Sequence, residues 1–140
     1  MASSAELLSQ AQAELAAHCD AVEEAYEFML AYAGQGMTTD SGSSKGTQVR
    51  EFLAKAESAL GALVTFTAGF GANSGSDLAP YTAFMQVIGQ DATAARAAVA
   101  LVLAQDAISS QLIDNLNASI HLRALLTDLF LVDEVLKAHK

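Results

Sequence analysis

"NASIHLRALLTDLFLVDEVL", residues 117–136, decides how this chain folds. It contains no glycine or proline and is rich in leucine, so its own composition predicts helix. Taken as one unbroken helix, Ile113, Leu116, Ile120, Ala124 and Leu131 share a stripe, and one stripe suffices for a core. Leu112, Leu122, Leu126, Leu129 and Leu136 then add apolar surface on other faces. A helix apolar on every side must be covered on every side. Either the helix is central, with the others packed around it, or those five leucines form the interface of a two-fold homodimer. The dimer is the expectation.

Upstream, nothing breaks helix strongly between "DATAARAAVALVLAQ" and the C-terminus. A single helix of about 60 residues would span about 90 Å, too long for a compact chain to fold around. A tight turn is therefore expected near Asp106, Ser109 or Ser110, any of which suits a helix cap. A first helix is predicted from about Ala5 to Ala33, with Leu8, Ala11, Leu15, Val22, Ala25, Met29 and Tyr32 at three- and four-residue steps. Gly34 to Gln48 is dense in Gly, Ser and Thr, with Met37 its only apolar anchor, and reads as a mobile loop. A second helix, about Thr47 to Phe70, presents Val49, Phe52, Ala56, Leu60, Leu63, Thr67 and Phe70. "GFGANSGSD" breaks it, Asp77 caps a third helix with Pro80 in its first turn, and Gly89 with Asp91 is a candidate kink. The sum is an all-α, antiparallel up-down-up-down four-helix bundle, with residues 1–140 as a single domain.

Composition removes several function classes. With 7 Lys and Arg against 16 Asp and Glu, the net charge is −9, so neither nucleic acid nor an anionic membrane is a suitable partner. No stretch reaches the roughly 18 apolar residues of a membrane span, and the N-terminus lacks the basic and apolar regions of a signal peptide. A cytoplasmic location is the expectation. Cys19 is the only cysteine, which rules out an internal disulfide.

Motifs are scarce. The residues three before His18, His121 and His139 are Leu15, Ala118 and Leu136, so the Glu-x-x-His pairs of di-iron bundles are missing. There is no Walker loop and no His-Glu-x-x-His, and the glycines of "GFGANSG" lack both a lysine and a preceding strand. What remains is polar residues on apolar faces. His18 falls within the apolar sector of helix one. His121 shares a helix-four stripe with Asp114, Leu125 and Asp128, and Asn117 lies one turn before it. His121 is expected to be buried and hydrogen-bonded to Asn117 or to another helix.

Two functions fit. The favoured one is a non-enzymatic, self-associating interaction protein with a protein partner, acting as adaptor, accessory or regulatory subunit. The alternative is a bundle that binds a small ligand, haem or metal in the interior around His18, Cys19 and His121. No cofactor is favoured and no catalytic set stands out. His121 and Asp128, seven residues apart, are separated by about 10.5 Å along one helix.

Overall fold

The computed structural model describes residues 3–139. It is 84% helix without strands, so the all-α expectation holds. Where four helices were expected, the described residues form five: α1 (Ser4–Ala33), α2 (Ser44–Asn73), α3 (Ala79–Leu103), α4 (Ser110–Ala118) and α5 (His121–Leu136). Short 3-10 turns occupy Ser76–Leu78 and Lys137–His139. No helix among the described residues is long and apolar enough to cross a membrane.

Each long helix packs on its chain neighbour, α1 on α2 and α2 on α3, while α5 lies against both α3 and α1 and α4 lies mainly against α1. Neighbours run antiparallel. The Ser74 and Thr82 hydroxyls meet at 2.7 Å where α2 ends and α3 begins, and Arg50 near the start of α2 reaches the Leu103 carbonyl at the end of α3. Likewise Tyr32, late in α1, bonds to Ile108 before α4, whereas Gln12, early in α1, bonds to Asp133 late in α5. The seven α1 residues expected inside are all buried. On α2 the phase also holds, with Phe52 half-buried and stacked on Phe28 at 4.6 Å. Gly89 does not interrupt α3. It lets α2 approach, since a Cβ there would lie 2.8 Å from the Thr67 hydroxyl.

The expected fourth helix is broken, and the break changes what its leucines do. Ser109 caps α4 by accepting from the Leu112 amide. At the far end the Ser119 amide bonds back to the Asn115 and Leu116 carbonyls, and Ile120 turns left-handed at φ 65°. α5 then begins afresh, with the Ala124 amide donating to the Ile120 carbonyl at 2.7 Å. This resets the helical phase. Ile113 and Leu116 of α4 and Leu122, Leu125, Leu126, Leu129, Val132 and Leu136 of α5 all turn into the same core. The leucines expected at a dimer interface are thus core residues: Leu122, Leu126, Leu129 and Leu136 are buried, and Leu112 is half-buried against them. Conversely, Ile120 and Leu131, which an unbroken helix would bury, are 54% and 56% exposed.

A β-branched residue in the left-handed region costs on the order of 1–2 kcal/mol. Ile120→Gly should therefore raise stability by about 0.5–1 kcal/mol in urea titration, after the greater unfolded-state entropy of glycine is subtracted. An unchanged or lower midpoint would mean that the Ile120 side chain compensates through its own contacts.

Residues 34–48 are not the mobile loop their composition suggests. α2 begins at Ser44, because Ser43 caps it by accepting from the Gly46 amide at 3.0 Å. A Cβ on Gly46 would lie 1.8 Å from the Asp40 carbonyl oxygen, so only glycine lets the loop press against that first turn. Asp40, 8% exposed, pairs with Arg50 and accepts from the Ile108 amide at 2.7 Å. Arg50 also donates to the carbonyls of Leu103, Gln105 and Asp106. Met37 and Ser110 join the two loops through backbone and side-chain bonds of 2.8 and 2.9 Å, and Ser110 donates to the Tyr32 carbonyl. Both loops at this end are one polar unit.

Candidate functional site

The polar residues singled out in the sequence do not converge. His18 is half-buried, and its Nε2 lies 3.1 Å from a Glu14 carboxylate oxygen. His121 is exposed in the first turn of α5, contrary to the burial expected. Arg123 shares a groove with Tyr26 and Leu30, which puts His18 about 12 Å further along α1 from that level. Asn117 does not bond to His121 either. The left-handed Ile120 lies between them, so their four-residue spacing no longer means one helical face. The Asn117 amide is buried without a hydrogen-bond partner beside α1.

Cys19 lies in a cavity of about 130 Å³ between α1 and α5, with Asp20, Glu23, Phe130 and Asp133. Burial, then the charges of Glu23, Asp20 and Asp133, push its thiol up to about 11. It is a poor thiolate nucleophile or ligand at neutral pH. Alkylation of Cys19 in the native protein should run roughly 100-fold slower than in the urea-unfolded chain, from thiolate fraction alone. Equal rates, followed by mass spectrometry, would refute this placement. Among the described residues, no three His, Cys, Asp or Glu side chains are grouped so as to hold a metal ion.

Two carboxyls that the sequence reading left unpaired do meet. Asp91, in the middle of α3, and Asp128, in the middle of α5, face one another across the helix interface, near enough for Asp91 to act on Asp128. Both are half-buried, and Asp128 Oδ2 is fully enclosed with no donor from elsewhere in the chain. Two carboxylates so placed repel one another when ionised, and an enclosed oxygen without a donor disfavours the charged form further. Burial first, then the hydrogen bond and the charge of Asp91, raise Asp128 to about 7. Among the described residues, no lysine or arginine forms an ion pair with either carboxyl.

Apolar side chains flank this pair on the outside. Val87 lies one turn before Asp91, and Leu131 and Val135 lie one and two turns after Asp128; all three are exposed. Because α3 and α5 run antiparallel, Val87 falls level with Leu131, and Leu101 falls level with the α4–α5 break carrying Ile120. Six of the seven exposed large apolar residues belong to α3, α5 or the turn leading into α5, and five of these, Val87, Leu101, Ile120, Leu131 and Val135, lie away from the α1 side of α5 that carries Phe130. The other two, Leu30 and Phe130, lie against α1 grooves. The signal was present in the sequence as acids within apolar helical runs, "QVIGQDATAA" and "LLTDLFLV". Pairing them needed the register of α3 against α5. Comparison with protein-family models, curated proteins and solved structures gives no match.

Proposed function

We propose that the chain is a non-enzymatic interaction module, an adaptor, accessory or regulatory subunit that engages a protein partner along the α3–α5 seam. In this reading α4 and α5 together serve as one broken leg of an antiparallel four-helix bundle, and the four legs form a single domain. The observation that carries the proposal is that five of the seven exposed large apolar residues, Val87, Leu101, Ile120, Leu131 and Val135, lie along α3, α5 and the turn between α4 and α5. Ile120 adds weight. An exposed isoleucine occupies a left-handed position where glycine would be less strained, which is the kind of local cost found at functional surfaces.

Leu122, Leu126, Leu129 and Leu136 are packed in the core, so they offer no surface for self-association, and the seam is the broadest exposed apolar surface left. A two-fold dimer there would bring two Asp91–Asp128 pairs towards one another in a chain of net charge −9. A different partner suits the surface better.

The test is photocrosslinking in the native host. A photoreactive residue at position 131 or 87 should give discrete protein adducts, and the same residue at exposed Glu24 or Lys55 should give none. No adduct from either seam position would overturn the proposal. A stoichiometric small molecule retained in native mass spectrometry would favour the ligand-binding alternative instead.

A further inference from the structure

We propose that the partner of the α3–α5 seam is an amphipathic helix that sets an arginine or lysine over the Asp91–Asp128 carboxyls and seats its apolar residues on Val87, Leu131 and Val135. This rests on the interaction reading above and adds the chemistry of the occupant. Two antiparallel helices form a groove suited to a third, here with Leu131 and Val135 one turn apart on the α5 wall and Val87 facing them on the α3 wall. From Val87 and Val135 at one end to Leu101 and Ile120 at the other, the seam spans about 14 residues of α3, or roughly 20 Å, some four turns of a partner helix.

Charge selects which helix fits. At the centre of the seam are two half-buried acids on facing helices, and among the described residues no lysine or arginine forms an ion pair with either. Arg50 pairs with Asp40, Arg96 with Glu57, and Lys137 with Asp133 and Glu134, while Arg123 lies in the groove beside Tyr26 and Leu30 of α1. From α3, Asp91 is the charge acting on Asp128; along α5 the nearest titratable group on the same face is His121, two turns earlier. A guanidinium or ammonium from outside would supply the missing donor and opposite charge, and each half-buried side chain keeps surface open to receive it. The net charge of −9 draws a basic segment in and repels a second copy.

The experiment uses the full chain and two fluorescent helical peptides of about 18 residues, identical in their leucine face and differing only in a central arginine or glutamine. Anisotropy at pH 7 should show the wild type preferring the arginine peptide by about tenfold or more. Asp128→Asn, checked for folding by circular dichroism, should reduce that preference to within about threefold while leaving the glutamine peptide unchanged. Glu24→Gln, on another face, should leave the preference intact. Val87→Ser with Leu131→Ser should weaken both peptides by about tenfold or more. Equal binding of the two peptides, lost in the serine variant, would overturn the charge assignment but leave the interaction reading standing. Binding of neither peptide, or binding that the serine variant does not weaken, would overturn the proposed occupant, and the crosslinking result then judges the interaction reading by itself. A wild-type dimer in sedimentation that Leu131→Ser abolishes would identify a second copy as the occupant and overturn the proposal.

Discussion

Asp40→Ala should destabilise the fold by about 2–4 kcal/mol, although Asp40 lies in a segment that looks like an expendable linker. The substitution leaves the Ile108 amide buried without its acceptor and strips Arg50 of its carboxylate, while the carbonyls of Leu103, Gln105 and Asp106 still hold the guanidinium in place. Removing one member of a buried, satisfied network costs far more than the network's net contribution, because the remaining groups stay desolvated. The loop should also become cleavable between Gln35 and Ser43 under limited proteolysis. Arg50 holds the Asp40 carboxyl below the ordinary carboxylate range, so this stabilisation is present above about pH 4 and is lost as pH falls through the lowered value. Urea titration is the measurement. A loss below about 1 kcal/mol would show that the two loops hold together without Asp40.

Asp128 acts in the opposite direction. Its folded value is about 7, well above the ordinary 3.8, so the folded state binds this proton more tightly than the unfolded chain does. The resulting stabilisation is complete below about pH 4 and is lost as pH rises towards and through 7. An interval of about 3 pH units corresponds to about 4 kcal/mol in full, reduced to about 1–2 kcal/mol for a side chain still partly in contact with solvent. Stability should therefore be greatest in mildly acidic solution and fall by about 1–2 kcal/mol between pH 5 and pH 8. Asp128→Asn, which cannot ionise and still offers a donor to Asp91, should flatten this limb and be more stable than the wild type at pH 8. A wild-type profile flat between those values would show that Asp128 is ionised across this range.

Both predictions depend on long-range pairings, and this marks where the sequence stopped being informative. Periodicity within a helix was enough to place Leu8 to Tyr32 of α1, because every residue there keeps one phase. It failed across Ser119 and Ile120, where no glycine or proline announces a break and a left-handed isoleucine is a conformation that propensity argues against. One unseen phase reset exchanged core for surface along α5 and separated Asn117 from His121. The 34–48 segment failed for another reason. Gly46 and Ser43 read as loop punctuation, yet one gives close approach and the other caps a helix, and the Asp40–Arg50 pair became visible only with the neighbouring 103–108 turn in place. The seam lies between these cases, since its apolar excess was legible while its residues were not.

The central claim is that Asp128, facing Asp91 across two helices beneath an apolar seam without a cation, holds its proton to near neutral pH. Carbon-detected NMR titration of the aspartate carboxyls in the free chain tests it most directly. The Asp128 carboxyl resonance should move with a midpoint near 7. An Asp128 midpoint near the ordinary carboxylate value would contradict the account.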